Sequence, residues 1–319
     1  MRGRIQVLPC AAGGSRSVDC LQGPSGERPH VRSIIYAHRG SSGVFAEHTR
    51  GAYLQALADG ADGVECDIHL SRDRQPVLIH DAAVDRTSNG TGPVASHSVE
   101  QLRQLDFSGW KHAAVPAAYG TPAEQFLTLA DLLDLLAGAG RRISLAVEFK
   151  QPGPFGLDLE DTVLALLEAR GWDPADSRLG PVTVSFMSFS PESVRHLRRS
   201  VPAAFVCQLL ADVDDAATAE AAPLLPPGFD AAGMLNRALV EGEALVSGGA
   251  AGIAGPGVEY LRAHPERVAG WVAAGRTIRA WTVDDPADAE AAYRLGVQEF
   301  TTNYPSGLRS VLAALELAD

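Results

Sequence analysis

What most constrains this chain is an alternation that begins at residue 33 and continues to the C-terminus. Short β-rich apolar runs are separated by Ala- and Leu-rich stretches of helical period, the order expected of βα units around a parallel sheet. The candidate strands are Ser33–Ala37, Gly63–Leu70, Ile143–Phe149, Val182–Phe186, Ala204–Gln208, a weaker one near Phe229–Met234, Ala251–Ala254, Ile278–Val283 and Glu299–Thr302. Between them lie helical patterns such as LADLLDLLAG and PADAEAAYRLG, several ending on a Gly that suits a left-handed cap. The count is about eight βα repeats, and eight parallel strands with outer helices close into a barrel. The fold expectation is therefore α/β, a (β/α)8 barrel, with an open doubly wound sheet as the alternative. One interval breaks the rhythm. Residues 82–127 carry turn dipeptides and a single short helical stretch, SVEQLRQL, too long for an ordinary βα loop and expected as an insertion at one rim. Residues 211–228, rich in Ala, Asp and Pro, read as a surface helix and loop.

Composition narrows the function. Of 319 residues 46% are hydrophobic, ample for a core, while a net charge of −12 argues against a broad nucleic-acid surface. It leaves room for a local cationic site. The four cysteines, at 10, 20, 66 and 207, form no CxxC and no disulfide framework, a Cys10–Cys20 bridge being the one pairing worth considering. Residues 1–30 are rich in Gly, Ser, Arg and Pro without the apolar segment of a secretion signal, and no run is long enough for membrane insertion. The expectation is a cytoplasmic protein with a flexible tail over 1–30 and one domain over 31–319.

The chemistry concentrates where apolar runs end. In GVECDIHL, side chains two apart share a face, so Glu65, Asp67 and His69 point one way and Cys66 and Ile68 the other. Adjacent carboxylates repel unless a cation or proton lies between them, and carboxylate oxygens suit Mg²⁺ or Ca²⁺. LAVEFK places Glu148 and Lys150 on one face, which alone is as consistent with an ion pair. Both sets sit toward the ends of their strands, so three carboxylates can converge at the C-terminal mouth of a barrel. Two further runs stop on an imidazole, at His38 (followed by Arg39) and at His80 (followed by Asp81), a pairing that fits general acid and general base.

These blocks, AHRG, ECDIHLSRDRQPVLIHD, DRTSNGTG, VEFK and RAWTVDDPADAEAAYRLGVQEFTTNYP, resemble in order and spacing those of glycerophosphodiester phosphodiesterases, over about residues 33 to 310. The resemblance implies a TIM-like barrel with a small inserted subdomain after the second strand. It implies a phosphoric diester hydrolase that releases glycerol 3-phosphate and an alcohol from a small-molecule glycerophosphodiester. Glu65, Asp67 and Glu148 would hold a divalent metal ion, Mg²⁺ or Ca²⁺; His38 and His80 would be the acid and base; Arg39 and Lys150 would hold the substrate phosphate. Glu47 would support the metal or substrate, with Trp281 as further support and His48, outside the family pattern, as an added donor at the mouth. The chain departs from the pattern at His48, where Asn is usual, and at Asn303, where an acid is usual. Two other readings stand beside this one: a lysophospholipase D-like enzyme using an apolar groove near Val44 and Phe45, and a non-catalytic barrel that binds phosphorylated metabolites.

Overall fold

Eight of the nine expected strands form on their apolar runs, those expected at Ala251–Ala254 and Ile278–Val283 standing instead at Ile253–Pro256 and Thr277–Ala280. The structure is a computed structural model that describes residues 32–226 and 228–318. The tail expected over 1–30 and the Cys10–Cys20 pair lie outside the described residues. Among these, ten strands occur: β1 (Ile34–Ala37), β2 (Gly63–Leu70), β3 (Pro76–Leu78), β4 (Ile143–Phe149), β5 (Arg178–Leu179), β6 (Val182–Ser188), β7 (Val206–Leu210), β8 (Ile253–Pro256), β9 (Thr277–Ala280) and β10 (Glu299–Thr302). Eight of them pair in parallel in the order β1, β2, β4, β6, β7, β8, β9, β10, and β10 returns to β1. The sheet is thus a closed (β/α)8 barrel. The short β3 and β5 hang antiparallel on β2 and β6.

The weak strand expected near Phe229–Met234 is not one. Those residues lead into a helix, Ala231–Ser247, whose first turn is capped by the Asp230 carboxylate accepting from the Gly233 N–H at 2.8 Å. An N-cap Asp followed by Ala, Met and Leu favours helix, and the barrel position belongs to β8. The fifth strand also starts late, at Val206, because residues Ala203–Phe205 make a 3₁₀ turn.

Parity on the strands separates two compartments. Val64, Cys66, Ile68 and Leu70 of β2 face the helices and join the main core, while Glu65, Asp67 and His69 face the lumen. The helix Leu129–Ala137 shows how the outer layer is held. Thr128 and Asp131 form a reciprocal cap at its start, and Leu129, Leu132, Leu133 and Leu136, spaced three and four apart, are all buried. Each such Leu contributes about 1.5–3 kcal/mol. Inside the barrel, Tyr36, Ala146, Met187, Cys207, Leu209 and Ile253 pack together. Tyr36 can lie across β2 only because residue 63 is Gly; a Cβ there would stand 2.6 Å from its ring.

The stretch between β3 and the helix at 129 contributes no barrel strand. Its Ile79, Val84, Val94, Leu102, Phe107 and Phe126 form a separate apolar cluster with Val77 of β3, and it carries one short α-helix, Val99–Leu102, with a Ser98/Gln101 capping box. Among the described residues no helix is long and apolar enough to cross a membrane.

Candidate active site

The register of two parallel strands assembles the acids. Asp67 and Glu148 are direct neighbours across β2 and β4, and Glu65 lies two residues earlier on the same face. One carboxylate oxygen from each of the three falls within 4.8 Å of the others, and all three residues are buried. Two cations from neighbouring strand ends reach them. Lys150 Nζ stands 2.8 Å from Asp67 Oδ1 and donates to Glu148 Oε1 at 2.5 Å. Arg39 donates its backbone N–H to Glu65 Oε2 at 3.0 Å, and its Nε lies 3.0 Å from Asp67 Oδ2 as an ion pair without an aligned hydrogen bond.

Two positive charges do not neutralise three carboxylates. Burial, with the charges of Asp67 and Glu148 adding to it, pushes Glu65 well above the usual carboxylate range. Glu148 is raised by burial too, against the pull of Lys150. Burial also opposes ionisation of Asp67, but Lys150, then Arg39 and the His48 hydrogen bond outweigh it and hold the group well below its ordinary value. Glu65 Oε1 is buried with no hydrogen-bond partner. An orphaned carboxylate oxygen facing two others, all hard donors, fits a Mg²⁺- or Ca²⁺-like ion and fits poorly a site that is complete without one.

The loop after β1 sets the rest. His38 extends the β1–β10 pairing by donating its N–H to Thr302 O at 2.8 Å; two residues beyond Tyr36, it keeps the lumen-facing parity. Arg39 then takes a left-handed backbone, φ 55°, at a cost on the order of 1–3 kcal/mol for a non-glycine residue. Gly40 follows at φ 82° with Ala52 so close that a Cβ would sit 2.6 Å from its backbone. This tight reversal keeps imidazole and guanidinium side by side at the rim. His38 Nδ1 is 2.8 Å from Asn303 Oδ1. Burial, aided by the charge of Arg39, brings its pKa down to about 3, so the ring is neutral near pH 7.

His80 emerges just past β3, with Nδ1 2.8 Å from Asp81 Oδ1 and its carbonyl accepting from His69 Nε2 at 3.1 Å. Glu47 accepts from Arg39 Nη1 at 3.0 Å and from both terminal nitrogens of Arg86, at 2.9 and 2.7 Å. Arg86 also grips Asp81 through two donors, at 2.7 and 2.9 Å. One guanidinium thereby braces the partner of His80 and the partner of Arg39. Arg86 is not among the site residues expected from the sequence, where it stands next to Asp85 at the head of a run of turn-forming residues.

His48 is set behind the carboxylates, not at the open mouth. It is buried, with Nε2 donating to Asp67 Oδ2 at 2.9 Å and Nδ1 2.9 Å from the Tyr53 hydroxyl. Its backbone is left-handed, φ 60°, a conformation in which Asn and His are both enriched. Trp281, just past β9, donates its indole N–H to Gly255 O at 2.8 Å and meets Phe189 edge-on. Lys111, from the stretch after β3, donates to Ser42 O across the rim.

Carboxylates, cations and imidazoles gathered at the C-terminal ends of barrel strands are the arrangement of a (β/α)8 enzyme. The sequence profile of the Glycerophosphoryl diester phosphodiesterase family matches residues 38–306. The chain is 34% identical over 281 residues to the Mycobacterium tuberculosis protein named probable glycerophosphodiester phosphodiesterase 1, covering 88% of this chain and 92% of that one. It is 29% identical over 274 residues to the Bacillus subtilis glycerophosphodiester phosphodiesterase, covering 86% and 84%. Its fold is similar to that of an Oleispira antarctica phosphodiesterase solved in complex with the product sn-glycerol-3-phosphate, with a TM-score of 0.64, 23% identity, and 88% of this chain and 96% of that one covered. The chain belongs to the glycerophosphoryl diester phosphodiesterase family and is a phosphodiesterase.

Proposed function

We propose that the protein hydrolyses glycerophosphodiesters to glycerol 3-phosphate and an alcohol at this mouth. His38 and His80 act as the proton-transfer pair, Arg39 and Lys150 as the phosphate clamp, and Glu65, Asp67 and Glu148 as ligands of Mg²⁺ or Ca²⁺. On this reading residues 31–319 are the catalytic domain and 82–127 its inserted subdomain, which brings Arg86 and Lys111 to the rim. The observation that carries the proposal is the buried, unpartnered Glu65 Oε1 between two more carboxylates, flanked by imidazoles from two strand ends.

A phosphodiester is anionic and repels an anionic nucleophile. A bound divalent ion would supply Lewis acidity and charge at the phosphate. The chain's own residues do the remainder. Arg39, held by Glu47, and Lys150, held by Asp67 and Glu148, stabilise charge that grows on the phosphate oxygens. His38 is neutral, and with its Nδ1 engaged by Asn303 it has Nε2 available to accept a proton. His80 has its Nδ1 engaged by Asp81, which orients the ring as the group that donates to a leaving alkoxide.

The test is a panel of glycerophospho-alcohols and lysophospholipid vesicles, assayed with Mg²⁺, Ca²⁺ and Mn²⁺ after chelation. Turnover of the soluble diesters that is lost on chelation and restored by one of the ions is expected. Metal-independent turnover, or none on any diester, would overturn the proposal. The lipid reading has lost one of its two supports: Val44 is exposed, but Phe45 is buried edge-on against Tyr119.

A further inference from the structure

We infer that Asn303 and Asp284 form a positioning pair that fixes the tautomer of His38; this rests on reading His38 as a proton-transfer group. Asp284, beyond β9, is anchored by accepting from Thr302 Oγ1 and from the Asn303 backbone N–H, each at 2.8 Å, through Oδ1. Its other oxygen, Oδ2, accepts from Asn303 Nδ2. That bond sets which way the amide faces. Turned over, Asn303 would set its oxygen against a carboxylate oxygen, two acceptors with no proton between them.

The amide oxygen therefore points at His38, and it can only accept. Nδ1, 2.8 Å away, must carry a proton to meet it, so a neutral imidazole bears its lone pair on Nε2. The opposite tautomer would put N–H where a base needs a lone pair. Ser42 Oγ strengthens the arrangement, lying within hydrogen-bonding distance of both Asn303 Oδ1, at 2.6 Å, and the His38 carbonyl oxygen, at 2.7 Å. The carboxylate that orients this histidine thus stands one side chain removed, and an amide relays its direction.

The donor and acceptor count makes a reversal prediction. Asn303→Asp sets two carboxylates face to face, and Asp284→Asn leaves the amide free to turn. The exchange of both restores complementarity, because a carboxylate at 303 can accept from His38 Nδ1–H and from an amide at 284. The experiment measures kcat and KM for the wild type, both single variants, the exchange and His38→Ala. Long-range ¹H–¹⁵N histidine spectra of the intact wild-type protein are recorded in chelated buffer.

Expected are a His38 signal protonated at Nδ1 and bare at Nε2, and single variants whose kcat falls between ~10-fold and the ~10⁴-fold that a wrong tautomer can cost. KM should change little, and the exchange should regain most of the loss. Protonation at Nε2 in the wild type would overturn the pair, and so would single variants with undiminished kcat. So would an exchange that melts like the wild type yet turns over no faster than the weaker single. The spectrum needs no variant, so a misfolded single leaves the inference testable. Near-normal turnover in His38→Ala would instead remove the reading of His38 itself, whereas an inactive His38→Ala with intact single variants would remove only the pair.

Discussion

The lumen of this barrel holds two buried charge clusters that use the same chemistry and end in opposite states. At the first residue of β10, Glu299 accepts from Arg279 Nε at 2.6 Å; Arg279 Nη1 donates to Ser185 Oγ at 3.0 Å and Nη2 to the Tyr36 hydroxyl at 3.1 Å, with the guanidinium 4.2 Å over the Tyr36 ring. One cation meets one carboxylate and the donors are matched. At the mouth, two cations meet three carboxylates and Glu65 Oε1 is left over. The satisfied cluster has no capacity for a ligand and serves to hold strands together. The unsatisfied one is destabilised by its own charge and is therefore equipped to take up a cation. Buried charge alone does not mark a site in this fold; an uncompensated one does.

The comparison can be broken first at the mouth. His38→Ala and His80→Ala are expected to lower kcat by ~10²–10⁴-fold each, with unfolding curves like the parent's. A purified variant with near-parental kcat would take that histidine out of the chemistry. The lower cluster should behave in the opposite way. Arg279→Met leaves Glu299 without its partner and is expected to cost about 3–5 kcal/mol in urea unfolding, while KM of the folded fraction stays put. A loss of activity without a loss of stability would mean that Arg279 belongs to the site.

Glu65→Gln sharpens the contrast further. Calorimetric titration should show divalent-ion affinity reduced by at least the ~10–100-fold that even outer-sphere partners cost, with stability in chelated buffer no lower than the parent's, since a like charge has been removed. Unchanged affinity would exclude Glu65 as a ligand. The smallest effect concerns pH. Burial raises Glu47, but the Arg86 hydrogen bonds and then the charge of Arg39 bring it down to about 2. Its folded pKa lies below the unfolded value near ~4.3, so its contribution is complete above that value and is lost as pH falls toward 2. The stability gap between wild type and Glu47→Gln should therefore shrink between pH 6 and pH 3 in urea titrations. An equal gap at both would show that Glu47 acts through packing rather than charge.

Much of this was legible in the chain because it depends on local periodicity. The runs GVECDIHL and ISLAVEF became β2 and β4 with their bounds as expected, and the two-residue repeat placed Glu65, Asp67 and Glu148 on inward faces. Phe229–Met234 misled because a short apolar stretch has no period of its own, and the Asp230 cap decided the matter. Arg86 and Asp284 were illegible as site residues. Arg86 reaches Glu47, 39 residues away, and Asp284 meets Asn303, 19 residues away, and nothing in the local pattern of a turn or a helix entry reports such a meeting.

By itself, then, the sequence determined which side chains face inward and that imidazoles and carboxylates stand at strand ends, since strand parity and strand termini follow from nearest neighbours along the chain. Tertiary structure alone decided which charges are compensated. Whether Glu65 has a partner, whether His48 stands at the mouth or behind Asp67, and which nitrogen of His38 meets Asn303 all depend on closure of the barrel. Closure brings β1 against β10 and β2 against β4, and electrostatic balance is a property of groups that meet in space.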